Sequence, residues 1–204
     1  MLARIRTSMR SLLSMLLLLA APACQSMNDS GSDWQVLFDG DPAGWAMAGP
    51  GGFHVDGDTM TAHGGMGLYW YTQQEFGDFH LKFQWKVADK TNNSGVFVRF
   101  PNPGNDPWVA VNEGYEFQIC DTGGDVHNTG SAYSFQGVSH MPTKAVGEWN
   151  TYEIIAIGES YTIKINGEVV NEFTGERGTT GYIGLQNHDD GSPVAFRKVK
   201  VRAL

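Results

Sequence analysis

Glu116 and Gln118 stand two residues apart in Tyr115-Glu116-Phe117-Gln118-Ile119-Cys120-Asp121. In an extended strand that spacing sets both side chains on one face, about 7 Å apart. A carboxylate beside an amide suits sugar hydroxyls. It is not the pair of carboxyl groups that a standard glycosidase uses, because an amide cannot serve as that kind of proton donor. Asp121 is a second carboxylate and opens the turn that follows. Gln186 and His188 share a face in the same way in Gly184-Leu185-Gln186-Asn187-His188, and His188 meets Asp189 and Asp190 at the strand end. Neighbouring carboxylates favour the imidazolium and groove burial opposes it, so this ring is expected to titrate near neutrality. By context it is the best general-base candidate of the six histidines, set against the plainer use of a histidine as a structural strand-end residue.

Arg99 is the sole arginine between residues 11 and 176 and lies in Asn93-Ser94-Gly95-Val96-Phe97-Val98-Arg99-Phe100. A guanidinium among strong strand formers needs a ligand oxygen or a carboxylate partner. The structural version of that partner is Glu116 or Asp121. Tyr133 and Trp149 offer rings to the C–H face of a sugar, although core packing is the commoner use of an aromatic residue. Metal-binding patterns are weak: Asp121, Asp125 and His127 share a Gly-rich loop, with no paired-histidine motif. Neither a phosphate loop nor a Gly-x-Ser-x-Gly nucleophile turn occurs.

The elements that must position these residues are strands. Phe79, Leu81, Phe83, Trp85 and Val87 alternate with His80, Lys82, Gln84 and Lys86, the period of a strand with one face in a core. Tyr161, Ile163 and Ile165 alternate with Thr162 and Lys164, and Asn166-Gly167 then leads into Glu168. Asn-Gly between apolar runs is a strong hairpin signal, since both central residues take positive φ. Further strands are expected at 52–56, 58–63, 66–72, 94–100, 132–135, 151–157, 181–187 and 194–203, and no convincing helical period appears. A dozen short strands with Gly-rich turns predict an all-β fold, two antiparallel sheets packed as a jelly-roll sandwich. Residues 34–204 carry no internal repeat or dividing linker, so they read as one domain.

Ahead of that domain, residues 1–23 read as a secretory leader: a basic start with Arg4, Arg6 and Arg10, an apolar run over 12–21, and a small-residue end. The run is too short to span a bilayer as a mature helix. Ala21-Pro22-Ala23-Cys24 resembles a bacterial lipobox, which makes Cys24 a lipid anchor and 24–33 a flexible tether. The alternative is plain cleavage after Ala23, with Cys24 incidental. Either way the protein is expected to be exported, to the periplasm or cell envelope, and to meet membrane only through that anchor. Cys120 is then expected to be a buried free thiol. Without the leader, 181 residues remain with 11 Lys and Arg against 22 Asp and Glu, a net charge of −11. Such an acidic chain excludes nucleic acid as a partner, because phosphate binding needs a basic surface. Glycine reaches about 14% of those residues, roughly twice average usage.

The ordered set of segments resembles the 3-keto-disaccharide hydrolase family, a concanavalin A-like jelly roll. It runs from Leu37-Phe38-Asp39-Gly40 and Gly44-Trp45 through Gly77-Asp78-Phe79, Asn93 to Arg99 and Tyr115 to Asp121. Thr129-Gly130, Gly147-Glu148-Trp149-Asn150, Ile165-Asn166-Gly167, Gly184 to His188 and Phe196-Arg197-Lys198-Val199 complete it. Ser131-Ala132 and Lys198 depart from the family pattern. The resemblance implies cleavage of an oligosaccharide or glycoside already oxidised at sugar carbon 3. The C3 ketone acidifies the C2 proton, whose removal expels the C1 substituent, and water then adds. In that chemistry His188 is the base, Arg99 the enolate stabiliser, and Glu116 or Asp121 the acid. Asn93, Gln118, Gln186, Trp149 and the ring of Tyr133 hold the sugar. No cofactor is required, although a divalent metal would serve in place of Arg99. The competing readings are a non-catalytic carbohydrate-binding or adhesion module and an ordinary glycoside hydrolase, since a fold does not determine function.

Overall fold

A computed structural model describes residues 33–204; the leader, Cys24 and the tether up to residue 32 lie outside the described residues. Thirteen strands and one short α-helix follow in the order β1 (Gln35–Phe38), β2 (Trp45–Ala48), β3 (Gly52–Asp56), β4 (Thr59–His63), β5 (Gly67–Tyr71), β6 (Phe79–Lys86) and β7 (Ser94–Phe100). Then come α1 (Trp108–Glu113), β8 (Tyr115–Ile119), β9 (Asn150–Ile157), β10 (Ser160–Ile165), β11 (Glu168–Thr174), β12 (Tyr182–Asn187) and β13 (Ala195–Ala203). The larger sheet has the order β11-β10-β9-β6-β13-β4-β3, with β1 also paired to β13; the smaller has the order β2-β5-β12-β7-β8. The strand pairs are antiparallel, and the two sheets form the expected jelly-roll sandwich.

Period-two alternation explains the packing. Phe83, Trp85, Tyr152 and Phe196 from the large sheet meet Val96, Val98, Phe117, Ile183 and Leu185 from the small one in a single buried cluster. Phe83 and Tyr152 stack with centroids 5.1 Å apart. Asn166 and Gly167 turn β10 into β11 with φ of 52° and 88°, the positive pair that the hairpin demands. Cys120 is free and buried.

The expected strand at 132–135 is not one. Ala132 makes only isolated bridges, to Phe117 and to Gln136, because the chain turns back on itself at once. Two strands and the helix were not foreseen: β1 and β2 have four residues each and α1 has six, too few for a period to emerge. α1 nevertheless has a clear task. The outward face of the small sheet carries a second apolar cluster of Ala48, Leu68, Trp70, Phe97 and Phe100, and Ala110 of the helix is fully buried on it. α1 therefore roofs one half of that face.

Candidate functional site

The half of the small sheet's outward face away from α1 holds the polar residues. Glu116 and Gln118 project outward from β8, and Gln186 projects from β12, as alternation requires. Beside Glu116 the floor is Gly95, where a methyl group would collide with the Glu116 carboxyl. The missing side chain is what allows that carboxyl to lie across the strand.

Glu116 is buried, at 7% exposure. Its partners are amides. Gln118, oriented with its nitrogen toward the carboxyl, lies 3.0 Å from Oε1 and 2.8 Å from the Ser94 carbonyl, and Gln186 adds a second side-chain hydrogen bond. Among the described residues Glu116 joins no ion pair. Burial without a cation penalises the charged form, so its pKa is pushed up to about 8. At neutral pH this group is a carboxylic acid that can give a proton.

His188 follows the end of β12. Its Nδ1 lies 2.5 Å from Asp189 Oδ2, and its Nε2 lies 3.1 Å from Asn93 Nδ2. Asp189 also accepts from Gly191 N at 2.6 Å and Ser192 Oγ at 3.2 Å. The hydrogen bond from His188, ahead of its other contacts, holds the Asp189 carboxyl below the usual range. An ionised Asp189 takes the Nδ1 proton, which leaves the Nε2 lone pair as the basic position. Asn93 Oδ1 stands 3.3 Å from the Gln118 oxygen, acceptor against acceptor, so no hydrogen bond joins them. Asp189, His188 and Asn93 thus make one hydrogen-bonded group and Gln118, Glu116 and Gln186 a second beside it, with a base in the first and a protonated acid in the second.

Tyr133 stands beside the second group. Its N–H donates to the Glu116 carbonyl at 2.9 Å, its ring packs 4.7 Å from that of His127, and it is 36% exposed. On the helix side, Trp108 and Met66 are 51% and 48% exposed. With Leu68, Phe97, Val111 and Gln186 they line an apolar cleft of about 40 Å3. Sequence reasoning missed Trp108 and Met66; an apolar residue left exposed looks like any other until its neighbours are known.

Arg99 requires a correction. It is not on the groove face. Tyr182 pairs with Phe100 and Ile183 with Val98, so Arg99 is an unpaired bulge residue with φ of 56°. The bulge turns its side chain to the interior, where it is fully buried. Its guanidinium donates to the carbonyls of Gly158 and Gly77, to Tyr161 Oη at 3.2 Å and to Asp78 Oδ1 at 3.2 Å, and it lies over the rings of Phe79 and Tyr161. Its carboxylate partner is Asp78 rather than Glu116 or Asp121.

Trp149 is corrected as well. It belongs to the outer face of the large sheet, with the Arg197 guanidinium 4.1 Å and the Lys86 ammonium 4.8 Å from its ring centroid. Asp121 anchors a turn by accepting from Thr129 Oγ1 at 2.6 Å and makes no hydrogen bond to either polar group. Among the described residues no group of three or more His, Cys, Asp or Glu is placed to hold a metal ion.

Residues 33–202 match the 3-keto-alpha-glucoside-1,2-lyase-like domain family. The chain belongs to that family. A structure from Parabacteroides distasonis ATCC 8503, provisionally described as a glycosyl hydrolase, is 23% identical, with a TM-score of 0.71 over 84% of this chain and 94% of that one. A second from the same organism, with the same description, is 25% identical, with a TM-score of 0.67 over 84% and 99%. The carbohydrate-binding module CBM66 of Bacillus subtilis shares the fold at 15% identity, with a TM-score of 0.60 over 78% and 96%. No curated protein matches the chain. Family and fold together give this domain a carbohydrate-active role.

Proposed function

We propose that the groove cleaves 3-keto-glycosides by elimination and hydration, with His188 as base and Glu116 as acid. The observation that supports this most directly is Glu116 itself, a buried carboxyl pushed up to about 8 on the same sheet face as a histidine whose Nδ1 is held by Asp189. A lectin has no need of such a pair, and an ordinary glycosidase wants a second carboxyl where this chain has amides.

His188 Nε2 takes the C2 proton, and the C–H pair forms the enediolate with charge on the C3 oxygen. As the C3 carbonyl re-forms, C1=C2 forms and the C1–O bond breaks; the departing oxygen takes the Glu116 proton. Asp189 stabilises the imidazolium meanwhile. Water then adds across C1=C2: ionised Glu116 takes its proton as oxygen bonds to C1, and His188 returns a proton to C2. The sum is hydrolysis. With Arg99 withdrawn to the interior, the donor for the C3 oxygen is the Asn93 amide, since both Gln118 N–H groups are taken by Ser94 O and Glu116 Oε1. Gln186 Oε1 is buried with no partner among the described residues, and a substrate hydroxyl would satisfy it. Trp108 and Tyr133 flank the groove as platforms for the ring or the aglycone.

Turnover in deuterated water tests the chemistry. Deuterium is expected at C2 of the keto-sugar product, beyond what the free product exchanges alone. Product without that label would mean direct displacement at C1, and an unoxidised glycoside cleaved equally well would remove the need for the ketone.

A further inference from the structure

The opposite face of the sandwich carries a cavity that this chemistry does not use. Seven of the eleven Lys and Arg among residues 33–204 lie on β6, β10 and β13: Lys82, Lys86, Lys164, Arg197, Lys198, Lys200 and Arg202. All three strands belong to the large sheet, in a chain whose net charge is −8. Where β13 runs beside β6, the register shifts between Arg197 and Lys200. Lys198 and Val199 therefore face Phe83 alone, and Lys198 takes φ of 53°. A lysine held in the left-handed region is unusual. A bulge of this kind parts the strands and re-aims a side chain.

The gap opens into a cavity of about 290 Å3 beside Lys82, Lys198, Lys200, Gln84, Thr151 and Val36. Among the described residues its one lining carboxylate is Asp39. Lys82 is already bound to Glu153 at 3.2 Å, whereas Lys198 and Lys200 make no ion pair among the described residues. Lys200 instead lies 4.9 Å from the Trp34 ring centroid. Gln84 accepts from Arg197 Nε at 2.8 Å; among the described residues its amide N–H groups have no acceptor, and the Thr151 hydroxyl is in no hydrogen bond. Val36, 58% exposed, and the lysine stems supply apolar surface.

We propose that this cavity binds an anionic monosaccharide unit, a uronate, on the face away from the groove. Two unpaired ammonium groups call for an anion. A cavity of about 290 Å3 has room for many waters and is too large for a bare inorganic ion to fill. Neutral donors beside apolar surface suit a sugar ring: Lys198 and Lys200 take the carboxylate, and Gln84 and Thr151 take hydroxyls. The site does not depend on the proposed reaction.

Calorimetric titration of the purified protein with methyl glucuronide, methyl glucoside and inorganic sulfate tests it. The glucuronide is expected to bind at least about tenfold more tightly than the glucoside, and less tightly as salt is raised. Lys198→Gln with Lys200→Gln is expected to weaken it by about tenfold or more, and Thr151→Val by about threefold, with the melting temperature unchanged. Equal binding of the glucoside, no binding at millimolar glucuronide, or affinity indifferent to both variants would overturn the proposal. Sulfate binding as tightly as the glucuronide would reduce the site to one for a bare ion and overturn the sugar assignment.

Discussion

Arg99 and Glu116 lie on neighbouring strands of the small sheet, and both are buried, yet the molecule treats them differently. Arg99 has its charge spread over two backbone carbonyls, a tyrosine hydroxyl and Asp78, with aromatic rings against it. Apart from Nε, the guanidinium is answered by the protein itself. Glu116 has only amides, and burial pushes its pKa to about 8. A buried ionisable group with a full set of partners serves the fold. One left short of a counter-charge is a candidate for chemistry, the role proposed for Glu116. In sequence both were polar residues in apolar strands; their partners separate them.

The sharpest way to break this contrast is to neutralise each in turn. Glu116→Gln keeps the shape and removes the proton, so kcat is expected to fall about 10²–10⁴-fold with no loss of stability. His188→Ala is expected to cost the same order with folding unchanged. Steady-state kinetics with thermal melts reads both, and full activity in Glu116→Gln would move the acid elsewhere.

Stability against pH separates the two groups further. The folded pKa of Glu116 is raised, so the folded state holds its proton between the unfolded value of 4.5 and about 8. The penalty is therefore absent below about pH 4.5, grows as pH rises through that window, and is complete above about 8, on the order of 3–5 kcal/mol. Denaturant titrations are expected to show wild type losing stability across the window relative to Glu116→Gln. Parallel curves would remove the uncharged acid. Activity is expected to fall above about pH 8 as the acid ionises.

Arg99→Met tests the other arm. It leaves two carbonyls and a hydroxyl without their donor, and about 2–4 kcal/mol of stability should be lost. Per folded molecule, activity should be unchanged; a large drop in kcat at full stability would return Arg99 to the chemistry. The smallest expected effect is at the groove wall. Trp108→Ala is predicted to raise KM about three- to tenfold with kcat held, because a platform binds ground and transition states alike. A fall in kcat alone would make Trp108 part of the reacting geometry.

Much of the site was legible because it depends on parity. Glu116 and Gln118 share the outward face of β8, as alternation requires, whereas His188 lies one residue past the end of β12, where parity no longer applies. The same rule misplaced Arg99. Counting from Val96 and Val98 sends it outward, but the bulge adds one residue and reverses the side. The bulge forms where Gly181 presses on the Arg99 backbone, so closely that a Cβ at 181 would lie 2.6 Å from the Arg99 carbonyl carbon. That contact joins residues more than eighty positions apart. Trp149 failed for another reason: alternation tells which face is buried but not which sheet a strand joins, and β9 joins the large one. Asp189 was visible beside His188, but its role as the imidazole's partner depends on the turn through Gly191 and Ser192.

By itself the sequence determined that the protein is built of strands, which side chains alternate into the core, and where Asn166-Gly167 closes a hairpin. These rest on interactions within a few residues, set by backbone sterics and the burial of every second side chain. Tertiary structure alone decided that Asn93, Gln118, Glu116 and His188 come together on one sheet face, that α1 roofs only half of that face, and that Arg99 turns inward. Those outcomes depend on desolvation and hydrogen bonding between segments far apart in the chain. The environment that keeps Glu116 protonated does not exist until the sheets have closed around it.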